Sequence, residues 1–341
     1  MGVNLSDVIE KEKITIQQLN ARVIAVDAFN SLYQFLSTIR QFDGTPLMNS
    51  RGEITSHLSG LFYRTVKLIE NEIKPVYVFD GKPPELKHET INERIQAKKE
   101  ALEKYEKAKQ ENDYDGMRKY AQATSKLTSE MISESKELLK AMGLPVIQAP
   151  GEGEAQAAFM ASEGKCWASA SQDFDSLLFG SPRLVRNMTI SGRRKLPGKQ
   201  IYVMVEPELI ELQKNLNKLG LTREQLVEIG LMIGTDFNKG IKGIGPKKAL
   251  EAVKQGKTIE EVASENEVEL EVDAEELRKI FLKPNVTKEY EVKFKKPDTD
   301  KIKEILVEKN DFSEERIRNS IEKLVKFSEQ KNTQSKLDNW F

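Results

Sequence analysis

The chain has 341 residues, of which 38% are hydrophobic and 31% are charged, and its formal net charge is −1. The balance of 53 basic and 54 acidic residues gives no overall basic signature of nucleic-acid binding, although it leaves a local basic surface open. A single cysteine, Cys166, excludes an internal disulfide, and no apolar run is long enough to predict a membrane span. We therefore expect a protein of a reducing intracellular setting, with Cys166 in its core and no membrane contact.

The first predicted elements are two short strands that each end in an aspartate. Residues 22–27 form an apolar run ending at Asp27, and residues 75–80 form a second run ending at Asp80. Between them, the spacing of apolar residues from Ser56 to Glu70 predicts an amphipathic helix. His57 begins this helix, and we expect it to be a surface or capping residue.

The chain changes character from Lys82 to about Ser135, where a long polar stretch predicts a helical insertion. The next helix ends before Gly143, which is predicted to cap it, and a strand follows at residues 144–148. Residues 165–171 predict another strand, directly followed by Gln-Asp173-Phe-Asp175.

Beyond this strand, residues 183–199 hold six basic residues and no acid, and the Ser-Gly-Arg193-Arg194 segment predicts a hairpin tip. After residue 221 the pattern becomes helical, with a glycine-rich loop at residues 234–249 joining two helices. Strands alternating with helices predict an α/β fold with a central, largely parallel, twisted sheet flanked by helices.

Seven acidic residues follow the predicted strands or lie in a later loop. They are Asp27, Asp80, Glu152, Glu154, Asp173, Asp175 and Asp236. The carboxyl ends of parallel strands share one edge of a sheet, so these side chains are expected to converge there. Each one alone is better explained as a turn or helix cap. Together they predict a site.

Convergence of so many carboxylates requires that they be protonated or neutralised by a metal ion. Two unit charges about 4 Å apart repel by about 4 kcal/mol at an effective dielectric constant near 20. All-oxygen ligands suit Mg²⁺ or Mn²⁺, whereas two histidines and one cysteine make zinc a poor candidate. Two such ions can activate water and stabilise both oxygens of a phosphoryl displacement. The pattern thus predicts a metal-dependent phosphodiester hydrolase.

Basic and aromatic residues flank these acids. Lys87 and Arg94 are two helical turns apart, so they share a helix face that could hold a phosphate; either could equally be ordinary surface charge. Tyr33 could stack on a base or belong to the core. The loop at 240–249 opens a helix with glycines and lysines, which suits a DNA backbone; its residues are Lys242, Gly243, Gly245, Lys247 and Lys248.

The end of the chain is a polar tail with an abrupt apolar finish. One helical turn would present Gln334, Leu337, Trp340 and Phe341 together, which predicts docking into a partner pocket or onto the chain's own domain.

These motifs resemble the flap endonuclease family, structure-specific 5′ nucleases of the XPG/Rad type, nearly end to end. The resemblance is carried by Val-Asp27-Ala-Phe-Asn, Val-Phe-Asp80-Gly-Lys-Pro-Pro, Pro-Gly-Glu152-Gly-Glu154-Ala, Ser-Gln-Asp173-Phe-Asp175, Gly-Thr-Asp236-Phe-Asn and Gly-Ile-Gly-Pro-Lys-Lys-Ala. It implies a PIN-like nuclease core at 1–330, a helical arch at 82–135 and a helix–two-turn–helix element at 228–254.

The resemblance also implies roles for single residues. The seven acids would surround two Mg²⁺ ions, which Mn²⁺ can replace. Lys87 and Arg94 would act on the scissile phosphate, and Tyr33 would stack near the flipped 5′ nucleotide. Gly2 would lie near the active site. The glycine-rich turn, with Arg193 and Arg194, would contact DNA, and K⁺ would bind at that turn.

The implied partners are DNA with a 5′ flap or nick and the sliding clamp PCNA, which residues 331–341 would bind as a PIP box. We expect a monomer that acts in Okazaki fragment maturation and repair. Eukaryotic members continue with a basic extension, whereas this chain stops at Phe341. An archaeal origin, with a cytoplasmic or nucleoid location, is therefore favoured over a nuclear one.

Two alternatives remain open from the residues alone. Asp173-Phe-Asp175 after a strand is similar to the nucleophile pair of haloacid dehalogenase phosphatases, although that motif normally lies early in a chain. A clamp-bound DNA adaptor with a decayed site is the non-catalytic alternative, and the complete set of acids argues against it.

Overall fold

The computed structural model describes residues 2–338 except 42, 83, 112, 191 and 196–201. For some residues inside helices and strands, the structure describes the backbone but not the side chain. These residues are 85, 88–94, 114, 115, 118, 122, 190, 193–195, 202 and 330–338.

The described strands form a seven-stranded sheet and a separate hairpin. The sheet contains β1 (Glu12–Lys13), β2 (Val23–Asp27), β3 (Lys74–Phe79), β4 (Val146–Gln148), β5 (Ala168–Ala170), β6 (Arg183–Arg186) and β9 (Glu208–Glu211). Their order is β1-β9-β6-β5-β2-β3-β4. The five strands from β6 to β4 are parallel to their neighbours, and β9 pairs antiparallel with both β6 and β1. The hairpin pairs β7 (Gly192–Lys195) with β8 (Tyr202–Val205).

Helices supply most of the remaining structure. They are α1 (Ala28–Thr38), α2 (Ser56–Glu70), α3 (His88–Gln110), α4 (Tyr114–Ala123), α5 (Ser129–Ala141), α6 (Gly153–Ser162), α7 (Asp175–Leu178), α8 (Leu212–Leu219), α9 (Arg223–Ile233), α10 (Pro246–Lys254), α11 (Ile259–Glu265), α12 (Ala274–Leu282), α13 (Thr299–Lys303) and α14 (Glu314–Asp338). Short 3₁₀ turns span Ile16–Leu19, Glu85–Lys87 and Met188–Ile190, and a π-helical turn spans Glu304–Glu308.

Strand β2 lies at the centre of the five parallel strands and marks the topological switch point of the sheet. From β2 the chain proceeds through β3 to β4 on one side, and then returns through α6 to β5 on the other side. In such sheets a crevice opens at the carboxyl ends of the strands where the order reverses. The acids that follow β2, β3 and β5 therefore meet around this crevice.

The sheet is covered on both faces, as its nearly continuous apolar strands require. Side chains of β2 alternate, so that Ile24 and Val26 join the core beneath α1, α2 and α5, whereas Ala25 packs against α6. A second large core joins α6 and α7 to helices α9 to α12. This second core fixes the glycine-rich loop between α9 and α10 relative to the sheet edge.

The predicted α/β fold with a largely parallel sheet is confirmed, and α2 has the predicted bounds. Cys166 is buried, as expected. Gly143, with φ +78°, is the predicted cap. Among the helices described here, none has the length and apolar character needed to span a membrane.

Two local predictions were wrong. The segment expected to form a hairpin tip is itself a strand: Gly192–Lys195 pairs with Tyr202–Val205, so the connection lies further along the chain. His57 is fully buried rather than a surface or capping residue, and Thr55 precedes α2 at the cap position. The Nε2 of His57 lies 3.4 Å from Oε2 of Glu134 on α5. This tertiary contact could not be predicted from the local sequence pattern.

Candidate active site

The first two acids of the site, Asp27 and Asp80, lie at the carboxyl ends of two neighbouring strands. Asp27 ends β2 and is only 7% exposed; its Oδ1 accepts a hydrogen bond from the Asn30 amide, 3.0 Å away, at the beginning of α1. Asp27 is therefore the helix cap of the bland interpretation, and it also lies among the predicted site residues. Asp80 follows β3, which is the parallel neighbour of β2.

The start of α6 is tied to Asp80. The backbone N–H of Gly153 donates to Asp80 Oδ1 at 2.7 Å, which places Glu152 and Glu154 on either side of that bond. A Cβ at position 153 would lie 2.5 Å from the same oxygen. The Gly between the two glutamates is therefore required for α6 to approach β3 so closely.

The third pair of acids is anchored by the beginning of the chain. Oδ1 of Asp175 accepts a hydrogen bond from the backbone N–H of Val3 at 2.7 Å, and Oδ2 of Asp173 accepts one from Asn30 Nδ2 at 3.1 Å. A Cβ at Gly2 would lie 2.7 Å from the Asp173 Cβ. The N-terminal segment thus lies against the site, where Gly2 was predicted.

Lys87 carries a positive charge into this group of acids. Its Nζ lies 2.5 Å from Glu152 Oε2 and 3.4 Å from Asp236 Oδ2, and its side chain is 13% exposed. Burial alone would lower the pKa of Lys87, but the charges of Glu152 and Asp236 raise it above its ordinary value. Asp236, in the loop after α9, is thereby joined to the sheet edge.

Burial and mutual repulsion raise the pKa values of four of the acids, Asp27, Asp80, Glu154 and Asp175. Desolvation is the larger cause for each: with the charge of Glu152 it raises the Asp80 pKa to about 6, and with that of Asp236 it raises the Asp175 pKa to about 7. The pKa values of Asp27 and Glu154 are raised well above their ordinary range by burial, and then by Asp80 and Asp175 respectively. Each of the seven predicted acids interacts electrostatically with at least one other of the set.

This donor set suits a hard divalent cation, because every candidate ligand atom is oxygen. Glu154 Oε1 is buried and has no hydrogen-bond partner among the described residues, so it is available to a cation. Within the described residues, no three of the acids are gathered closely enough to hold an ion as they stand. The Lys87 ammonium bridges two of them instead. The chemistry of these residues therefore fits a divalent metal ion. Their side chains would have to move closer together when the ion binds.

The other predicted catalytic residues are only partly described. Tyr33 lies on α1 and is 39% exposed, with the Lys98 ammonium 4.9 Å from its ring centre. It is therefore not the buried core aromatic of the alternative interpretation. The backbone of Arg94 belongs to α3, but its side chain lies outside the described residues.

The glycine-rich loop joins α9 to α10, as predicted. Gly243 has φ +86°, Gly245 precedes α10, and Pro246 occupies its first turn. Lys242 in the loop and Lys247 and Lys248 in the first turn of α10 are all exposed. Free amides at the start of α10 and these charges form a surface suited to phosphate.

Four further predicted residues fall wholly or partly outside the description. The backbones of Arg193 and Arg194 lie on β7, and those of Gln334 and Leu337 lie on α14, without described side chains. Trp340 and Phe341 lie beyond the described residues.

Sequence reasoning missed Asn30 and Arg186. Asn30 contacts both Asp27 and Asp173, and its position in the Val-Asp-Ala-Phe-Asn motif, three residues after Asp27, was a usable signal. Arg186 on β6 donates from Nε to the Gln172 carbonyl at 2.9 Å, and its guanidinium lies 4.3 Å from the Phe174 ring centre. Arg186 thereby supports the loop that carries two acids, a contact for which the sequence offered no signal.

Comparison with known proteins identifies the family. The XPG N-terminal domain matches residues 1–101, and the XPG I-region matches residues 143–236. Flap endonuclease 1 of Staphylothermus marinus is 54% identical over the whole of both chains. The solved flap endonuclease-1 from Methanococcus jannaschii is 41% identical, with a TM-score of 0.77 over 97% of this chain and 100% of that one.

A more distant structure shares the fold. The catalytic core of Rad2, solved with a DNA substrate, is 24% identical and has a TM-score of 0.70 over 95% of this chain and 100% of that one. The phosphatase alternative is not retained, because both matching domains and the full-length relatives are nucleases of one group. The chain belongs to the flap endonuclease family of XPG-type nucleases.

Proposed function

We propose that this chain is a structure-specific 5′-flap endonuclease that hydrolyses DNA phosphodiester bonds near the junction of single and double strand. The same site would support 5′–3′ exonuclease activity, in Okazaki fragment maturation and repair. One observation carries the proposal: acids from five separate chain segments meet at a single sheet edge, and a buried lysine reaches into them. Family membership supplies the substrate class.

We propose that Mg²⁺ is the cofactor, with two ions in the site and Mn²⁺ as a substitute. The ligands would be drawn from Asp27, Asp80, Glu152, Glu154, Asp173, Asp175 and Asp236. When bound, the ions would supply an activated water and Lewis-acid stabilisation of the attacking and leaving oxygens. Raised carboxylate pKa values support this, since a cation would relieve the repulsion that raises them.

The protein's own cations would act on the scissile phosphate. Lys87 stands at the start of α3 with its ammonium already inside the site, so it could exchange its carboxylate partners for phosphate oxygens as the metals load. Arg94, two turns along the same helix, would contribute a second charge. Tyr33, which is 39% exposed on α1, would stack on the terminal nucleotide.

Duplex DNA would be held away from the site by the helix–two-turn–helix element at 228–254. Its amides and lysines would grip phosphates without reading sequence, and K⁺ would bind within the turn. Residues 82–135, which include α3 and α4, would form an arch through which the 5′ flap passes. The hairpin residues Arg193 and Arg194 and the N-terminal Gly2 would contribute further DNA contacts.

We further propose a single nuclease domain at 1–330 and a clamp-binding tail at 331–341. Gln334, Leu337, Trp340 and Phe341 would dock on PCNA, and the enzyme would act as an intracellular monomer. The similarity to archaeal relatives supports a cytoplasmic or nucleoid location.

The test is a gel assay on labelled 5′-flap, pseudo-Y, nicked and single-stranded DNA, with and without Mg²⁺. We expect cleavage of the flap near its junction, dependent on Mg²⁺, and little cutting of single strands. Equal cutting of single-stranded DNA would contradict structure specificity. Binding without any cleavage in Mg²⁺ would favour the adaptor alternative.

A further inference from the structure

A cavity of about 340 Å³ adjoins the active site, and the function proposed above does not use it. It shares Glu152 with the site, and its other walls come from the arch base and from the end of α12. The lining residues include Lys82, Lys279 and Lys283. The cavity thus lies beside the carboxylates of the active site, but its own rim, formed by these three lysines, is basic.

The three lysines give this cavity an uncompensated positive charge. All three are exposed, and within the described part of the chain no carboxylate lies within ion-pairing distance of any of them. Glu152 is the acid of the lining, and its charge is already met by Lys87 at 2.5 Å. A ligand that neutralises this rim must therefore be an anion.

Apolar groups complete the lining. Ala155, Phe179, Ile280 and Pro284 supply apolar wall to the same cavity. A cavity with cations on its rim and an apolar wall suits a nucleotide, because the phosphates can meet the cations while the sugar or base lies against the wall. A free inorganic anion would make no use of the wall.

The position of the cavity selects one nucleic-acid segment. Lys82 and Pro84 belong to the base of the proposed arch, and Glu152 to the proposed metal site, so the cavity lies between them. The lysines proposed to hold the duplex lie elsewhere in the chain, Lys242 in the loop after α9 and Lys247 and Lys248 in the first turn of α10. A strand that passes from the metal site towards the base of the arch would run past this cavity.

We infer that this cavity binds the sugar-phosphate backbone of the single-stranded 5′ flap, with Lys279 and Lys283 as phosphate contacts. This inference rests on the proposed flap endonuclease function. Lys279 and Lys283 also suit the C-terminal end of helix α12, whose dipole favours cations. That purely structural role would affect stability, but it would not distinguish one DNA substrate from another.

The test compares a variant with Lys279→Gln and Lys283→Gln to a control with Lys165→Gln and Lys288→Gln. Both pairs remove two exposed lysines, and the control lysines do not line the cavity. Steady-state cleavage is measured on two DNAs that share one duplex, one with a long 5′ flap and one with a flap of a single nucleotide. Melting temperatures of all proteins verify folding.

We expect KM for the long flap to rise about three- to tenfold in the cavity variant only, with kcat unchanged on both DNAs. The slope of log(kcat/KM) against log[salt] for the long flap should flatten by about 0.7 for each lost contact. The single-nucleotide flap should be cut as by the unmodified enzyme.

Equal weakening on both DNAs would overturn the inference, because the lysines would then contact the duplex. No difference from the control would overturn it as well, since the lysines would be ordinary solvated charges. Failure of the unmodified enzyme to cut either DNA in Mg²⁺ would instead refute the proposed function. The two failures are therefore distinguishable.

Discussion

Replacing Asp175 by Asn should abolish cleavage and, without metal, make the protein more stable. Asp175 is 5% exposed, and burial with the Asp236 charge raises its pKa to about 7 from the ordinary 3.8. Asparagine has nearly the same shape, and its Oδ1 can still accept the 2.7 Å hydrogen bond from Val3. The substitution therefore removes a buried charge and keeps the contact that anchors the chain's start.

The sign and size of the effect follow from linkage. Because the folded pKa of Asp175 is raised, the folded state holds a proton that the unfolded state releases as pH rises above 3.8. Stability is lost as pH rises from about 4 to 7, up to about 4 kcal/mol at 1.36 kcal/mol per pKa unit. Since the site can relax, we expect Asp175→Asn to gain about 1–4 kcal/mol at pH 8.

The assay is calorimetric melting in EDTA at pH 8 and pH 5. For 341 residues the unfolding entropy is about 0.7 kcal/mol per kelvin, so the expected gain is a Tm rise of about 1–6 °C at pH 8. At pH 5 the gain should fall below half, because Asp175 is then protonated in the folded protein. Saturating Mg²⁺ should stabilise the unmodified protein more than the variant.

The matched control is Asp7→Asn, which neutralises an exposed aspartate near the same terminus. We expect no comparable rise in Tm from it. An Asp175→Asn protein that melts at or below the unmodified protein in EDTA at pH 8 would refute the reasoning. Flap-DNA affinity should be retained while cleavage is lost, since the role proposed for the acids is in chemistry rather than in DNA binding.

Three further predictions address other parts of the enzyme. Lys87→Gln should lower kcat about 10²- to 10³-fold, as for loss of one transition-state donor, and single-turnover cleavage that stays near normal would contradict its role. Arg186→Gln should weaken the apparent Mg²⁺ affinity about 10- to 100-fold, because Arg186 donates to the Gln172 carbonyl at 2.9 Å and so positions the loop that carries two acids. When cleavage is titrated with Mg²⁺, the activity of the variant should recover at high Mg²⁺ concentration. An unchanged titration would exclude this positioning role. Deleting residues 334–341 should remove stimulation by PCNA in a flap-cleavage assay and leave basal cutting within about twofold, so loss of basal cutting would place the tail in the nuclease itself.

The carboxylates could be located from sequence because their positions follow from strand geometry. Asp27, Asp80, Asp173 and Asp175 each stand where a parallel strand ends, and such ends share an edge whatever the rest of the fold does. Asp236 was less accessible to that reasoning. It lies in the loop after α9, and tertiary packing such as that of α9 against α7 brings it to the sheet edge.

Contacts between distant chain segments could not be predicted in the same way. The bond from Val3 to Asp175 spans 172 positions, and the burial of His57 depends on α5. The hairpin error has a different cause: a glycine beside two arginines is typical of a tip, yet Gly192 begins a strand with φ +118°. Local residue preferences contain no information on the register of the partner strand.

The closeness of Gly2 to Asp173 has a practical consequence for anyone producing this protein. With only 2.7 Å between the Asp173 Cβ and a Cβ added at position 2, residues fused ahead of the chain must emerge beside the carboxylates. An affinity tag placed there would crowd the reaction centre, so purification handles belong at the opposite terminus. The centre also cannot assemble on the ribosome until residue 175 has emerged to meet the first residues of the chain.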